Sequence, residues 1–81
     1  MNNEINLKEK QLPSDVKSFL EHLVGSFVSN LSKSFSNVRI REKHYSKEQA
    51  HEIYKITAFY SFDFKGKTYD EKVIISADYK E

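Results

Sequence analysis

Residues 53–79 read IYKITAFYSFDFKGKTYDEKVIISADY, and the fold turns on how this stretch is divided. From Ile53 to Phe64 the residues alternate, with Tyr54, Ile56, Ala58, Tyr60, Phe62 and Phe64 sharing one side of an extended chain. From Thr68 to Tyr79 they alternate again, grouping Tyr69, Val73, Ile75, Ala77 and Tyr79. A two-residue turn at Lys65 and Gly66 pairs Phe62 with Tyr69, Ala58 with Val73, Ile56 with Ile75 and Tyr54 with Ala77. A slip by one residue would turn one apolar set to the wrong face, so turn and pattern specify a single register.

Upstream the period changes from two to that of a helix. Val16, Phe19, Leu20, Leu23, Val24, Phe27, Leu31 and Phe35 recur at three- and four-residue spacing, predicting a helix from about residue 14 to 35. Ser14 is the expected N-cap after Pro13, and Asp15 is placed to meet the positive end of the helix dipole. Phe19, Phe27 and Phe35 supply the layer facing the sheet. Asn37 suits the left-handed conformation that closes a helix.

Between helix and hairpin, Val38, Ile40 and Glu42 alternate with Arg39, Arg41 and Lys43, a strand with one apolar and one basic face. Ser46–Gln49 carries a capping-box pattern and is read as a loop or one helical turn joining two antiparallel strands. Residues 1–12 form an arm in which Ile5 and Leu7 are able to add a short edge strand, and residues 13–81 form one domain. The expected class is α+β: one long N-terminal helix packed on a three-stranded antiparallel sheet, with that short extra strand as a variant. In topology alone, this order resembles cystatin-like folds, where a sheet wraps around one helix.

Composition narrows the functional classes. The 81 residues have room for one core, and 38% hydrophobic with 14% aromatic residues is too apolar for a disordered tail. A net charge of +1 provides no bulk field to attract nucleic acid or an anionic membrane. The absence of cysteine removes disulfides and thiolate chemistry. A polar N-terminus and the lack of a long aliphatic run point to a cytoplasmic protein without a membrane span. Lysine outnumbers arginine 11 to 2 and Asn, Ile and Tyr are abundant, the codon signature expected of an AT-rich bacterium, phage or plasmid.

Two surfaces invite a partner. On the helix, Ser18, His22, Gly25, Ser29, Ser32 and Ser36 form a small-residue seam opposite the apolar stripe. A merely solvated face would gain more from Lys, Glu or Gln, since Gly25 costs about 1 kcal/mol relative to Ala in a helix interior. Close packing against a protein partner, in the first instance a second copy as a homodimer, explains the seam; a weakly optimised solvated face is the plainer alternative.

On the outer side of the sheet, Arg39, Arg41, Lys43, Lys55, Phe59, Lys72 and Ile74 are expected together. Five basic residues between Lys33 and Lys47 meet the single acid Glu42. Cations beside an exposed aromatic are the elements of single-stranded nucleic-acid binding. Asp63, Asp70 and Asp78 on the same face weaken that reading, and lysines that keep a sheet edge soluble are the simpler account. The apolar members Ile53, Phe59 and Ile74 suit a protein interface.

Chemistry has weaker signs. His44 and His51 flank the loop, with Glu48 and Glu52 nearby, but in no metal-ligand spacing, and no metal or cofactor is expected. Glu71 falls opposite Tyr60 and Glu52 opposite Tyr79, pairs in which a tyrosine hydroxyl ordinarily just finds an acceptor. The aromatics between Tyr54 and Tyr79 are needed to fill a small core before they line a ligand pocket. The expectation is a non-catalytic protein-binding or regulatory module, such as an inhibitor from a phage or mobile element, with single-stranded nucleic acid as the alternative partner and no membrane role.

Overall fold

The computed structural model describes residues 4–78. Strand β1 (Glu4–Leu7) and a short 3-10 turn (Glu9–Gln11) precede helix α1 (Ser14–Leu31), followed by β2 (Ser36–Glu48), β3 (Ile53–Phe64) and β4 (Lys67–Asp78). The four strands form one antiparallel sheet in the order β1-β2-β3-β4. The short N-terminal strand is therefore present as the fourth member. Among the described residues no helix is long and apolar enough to cross a membrane.

The β3–β4 hairpin carries the predicted register without a break from Ile53↔Asp78 to Phe64↔Lys67. Lys65 and Gly66 both have positive φ, 49° and 79°, the signature of the type I′ turn whose twist matches that of the flanking strands. Tyr79, expected to end the last strand opposite Glu52, lies outside the described residues.

Leu20 and Ile56 are completely buried where the helix meets the sheet, joined by Leu12, Val16, Val24, Tyr45, Tyr54 and Ala77. Each fully buried aliphatic side chain contributes roughly 1.5–3 kcal/mol. The helix crosses this layer alongside β3. Its Glu21 meets Tyr45 on the row Tyr45–Ile56–Ile75, and further on Phe27 meets the ring of Tyr60 at 5.1 Å.

Five expectations need correction. Helix α1 stops at Leu31 rather than near residue 35. There the Ser32 hydroxyl donates to the Val28 carbonyl, and the amides of Ser34 and Phe35 both bond Leu31, so the chain tightens into a turn. Phe35 then covers Phe62 and Phe64, extending the aromatic layer beyond the helix end. Ser14 is the first helical residue, Pro13 holds the cap position, and no side chain bonds there. Asn37 keeps the expected left-handed φ of 53° but sits inside β2, donating to Asp63 at 2.7 Å. Ser46–Glu48 is strand, because β3 pairs with it through Ser46↔Lys55 and Lys47↔Tyr54 and, on the other side, β1 pairs with it through Leu7↔Tyr45 to Glu4↔Glu48. A local capping pattern carries no record of those partners, which supply the backbone bonds a helical turn would otherwise make.

The fifth correction affects the site. β2 carries irregularities between Ser36 and Arg39 and between Ile40 and Glu42. In the second, Arg41 is an extra residue between the pairs Ile40↔Tyr60 and Glu42↔Phe59. The strict alternation of Arg39, Arg41 and Lys43 is thereby broken.

Candidate docking surfaces

Across the outer face β3 presents Lys55, Thr57, Phe59 and Ser61, and β4 presents Asp70, Lys72, Ile74 and Ser76, as their paired positions require. Phe59 stands opposite Lys72, and Ile74 opposite Thr57, so Phe59 and Ile74 are diagonal neighbours. They are 37% and 57% exposed. A shallow depression of about 680 Å³ lies beside them, with Arg41, Glu42, Phe59, Asp70 and Lys72 in its walls.

The basic residues behave differently from a phosphate-binding row. Lys55 pairs with Glu4 of β1 and Glu48 of β2, and Glu4 holds its ammonium charged above the ordinary lysine range. Arg41 reaches Asp70 at 3.5 Å across the intervening strand. Asp70 is opposite Ser61, which is fully buried despite belonging to the outer face. Arg39 donates to the Asn37 carbonyl at 2.7 Å.

Lys43 is not on this face. The extra residue at Arg41 turns Lys43 to the helix side, opposite Ala58, and sends Glu42 outward, opposite Phe59. Lys43 meets Glu21 of α1 at 3.1 Å, and the Tyr45 hydroxyl donates to the same carboxylate at 2.8 Å. The Tyr45 bond, followed by Lys43, holds the Glu21 carboxyl below the ordinary glutamate range despite partial burial. Burial and the facing Glu21 push the Tyr45 phenol well above the ordinary range. These shifts keep the carboxylate ionised and the phenol protonated at neutral pH, the reverse of what proton transfer between them near pH 7 requires. The clasp ties helix to sheet.

The other carboxylate and tyrosine pairs sit at rims. Glu71 is opposite Tyr60 as expected, and burial, helped by Glu71, raises the Tyr60 phenol. Glu52 accepts from Tyr54 and pairs with Lys47, and both interactions lower its carboxyl. His44 lies 2.9 Å from Glu42 and its ring meets the Phe59 ring at 5.8 Å, while His51 is exposed. Among the described residues no cluster of three ligating side chains could hold a metal ion.

On α1, Ser18, His22, Gly25 and Ser29 are exposed, as is Ser32 at its C-cap, whereas Ser36 belongs to β2 and falls outside the seam because the helix ends at Leu31; a Cβ at Gly25 would meet nothing within 4 Å. Phe19, expected to face the sheet, is instead 51% exposed. Its physical reason is angular. Glu21 points to β2, and two residues along a helix rotate direction by about 200°, so Phe19 overhangs the β4 flank. This apolar overhang was missed by the sequence reading, as was Glu21.

Comparison with protein-family models, curated proteins and solved structures finds no match for the chain. The functional reading therefore stands on the surfaces described above.

Proposed function

We propose that this protein is a small non-catalytic accessory or inhibitory module that acts as a homodimer and docks on another protein through the outer face of its sheet. The observation that carries the reading is the pair Phe59 and Ile74, exposed side by side within a field of mixed charge. An apolar centre with an arginine and charges of both signs around it has the anatomy of a protein interface.

Nucleic acid is disfavoured by the same geometry. Phosphate contacts draw their free energy from unneutralised cations releasing counterions. Here Lys55 and Arg41 already have carboxylate partners, and Lys43 belongs to the helix side.

Affinity capture from the native host, comparing wild type with Phe59→Ser, tests the reading. Phe59 is already partly exposed, so the variant should keep the wild-type circular dichroism spectrum. A protein partner retained after nuclease treatment and high salt, and lost with Phe59→Ser, is the expected result. Release by nuclease, or binding to a single-stranded oligonucleotide that weakens steeply with salt, would replace protein docking by nucleic-acid binding.

A further inference from the structure

An unpaired strand edge exposes a row of N–H and C=O groups to any further strand, and soluble proteins blunt such edges with bulges and charge. The stretch of β2 beyond the reach of β1 does so, with its two irregularities and with Arg39 and Arg41. The edge of β4 does not. It is regular along its whole length, and from Val73 to Ala77 it has no charged side chain.

From this edge we infer that β4 pairs antiparallel with β4 of a second copy, about a two-fold axis through Ile75. In such a pair, facing residues must lie on the same side of the continuous sheet, which limits the registers. Centred on Ile75, Val73 faces the partner's Ala77, Ile74 faces the partner's Ser76, and Lys72 faces the partner's Asp78. Apolar residues meet on the inner side and opposite charges on the outer side, twice each by symmetry. Moving the centre to Ile74 sets Asp70 against the partner's Asp78. Moving it to Ser76 sets Ile74 against that same aspartate.

The helix points to the same axis. Glu21 lies over the row Tyr45–Ile56–Ile75, so Phe19, about 3 Å along the helix and on the opposite flank, overhangs β4 close to Ile75. Two copies joined there bring two half-exposed phenylalanines towards each other. On the outer side, the two Ile74 side chains flank the axis and join the two Phe59 patches in one band. The inference rests on the homodimer part of the proposed function and gives its docking face two linked halves, which strengthens binding to a repeated or symmetric partner by effective concentration.

Sedimentation velocity across a concentration series tests it, using charge exchange at exposed positions. Wild type is expected to dimerise. Lys72→Asp and Asp78→Lys should each weaken the dimer about tenfold or more, because two attractive pairs become two repulsive ones. The double variant Lys72→Asp/Asp78→Lys should restore it. Ser29→Arg, on the helix seam, and Phe59→Ser, one strand in from the edge, should leave it unchanged. Amide exchange within Val73–Ala77 should slow as concentration rises. A wild type that stays monomeric, a dimer indifferent to both single charge changes, or one abolished by Ser29→Arg would overturn the proposal. Because Phe59→Ser alone reports on docking, loss of the dimer and loss of the docking face are distinguishable.

Discussion

The two flanks of the sheet are built on opposite plans. On the β2 side the strand is bulged, basic and clasped to the helix through Glu21, Lys43 and Tyr45. On the β4 side the strand is straight, and the helix offers it an exposed phenylalanine and no ion pair among the described residues. A bulge twists a strand and spoils its edge as a template, whereas an unbroken ladder preserves one. The difference teaches that sheet edges within one small domain are treated separately, one partly covered by β1 and interrupted by bulges, the other left regular and open.

Deletions offer the strongest way to break this comparison. Removing Ile74 from β4 would shift one part of the strand by a residue relative to β3, turning its core-facing side chains to water. Loss of cooperative folding, corresponding to several kcal/mol, is expected in thermal or denaturant unfolding. Removing Arg41 from β2 should have little consequence, because Ile40 still faces Tyr60 and Glu42 still faces Phe59 once the extra residue is gone. Only the exposed Arg41–Asp70 pair is lost, a cost of about 1 kcal/mol or less. Equal damage from the two deletions would mean that Arg41 is not surplus to the ladder.

That asymmetry also explains what was legible in the sequence. The β3–β4 hairpin could be read to the residue because turn chemistry and two apolar alternations converge on one register, and no insertion interrupts them. The outer-face positions Lys55, Phe59, Lys72 and Ile74 followed directly. β2 could not be read so far, since a bulge is a backbone event without a residue type of its own. A signal was nevertheless present: Ile40 and Tyr45 both face the helix although an odd number of positions separates them, which strict alternation forbids. Glu42, the misfit on the supposed apolar face, marked the same place. Phe35 kept the helical phase beyond the true helix end, so periodicity overran Leu31. Ser46 and Lys47 pair on both sides, with β3 and with β1, and the second partner is a distant segment that local patterns do not report.

A smaller effect tests the clasp on the β2 side. Tyr45→Phe removes the hydroxyl that donates to Glu21 while preserving the buried ring. A hydrogen bond to a charged group is worth about 1.5–3 kcal/mol, and the partial exposure of Glu21 places this one near the lower end. The gap between variant and wild type should depend on pH. A carboxylate lowered in the folded state contributes its full stabilisation above the ordinary glutamate pKa and loses it as pH falls through the depressed folded value. The two unfolding curves should therefore converge in acid and separate towards neutrality. A gap that persists after Glu21 is protonated would assign the tyrosine's contribution to packing.

The smallest effect belongs to the turn that keeps β4 straight. Lys65 occupies a left-handed conformation, costly for most side chains by about 1–2 kcal/mol and tolerated by Asn, whose short polar group bonds locally. Lys65 has one compensation, since its ammonium lies 5.2 Å from the centre of the Phe64 ring. An exposed contact of that kind is worth about 0.5–1 kcal/mol, so relief of backbone strain should win narrowly in Lys65→Asn. A gain of about 0.5 kcal/mol corresponds to a melting temperature roughly 2–4 °C higher for a domain of this size. The register, and with it the spacing of Lys72 and Asp78 along the open edge, should not change. A lower melting temperature would mean that the lysine–phenylalanine contact outweighs the strain, and that this turn is held by its side chains more than by its backbone.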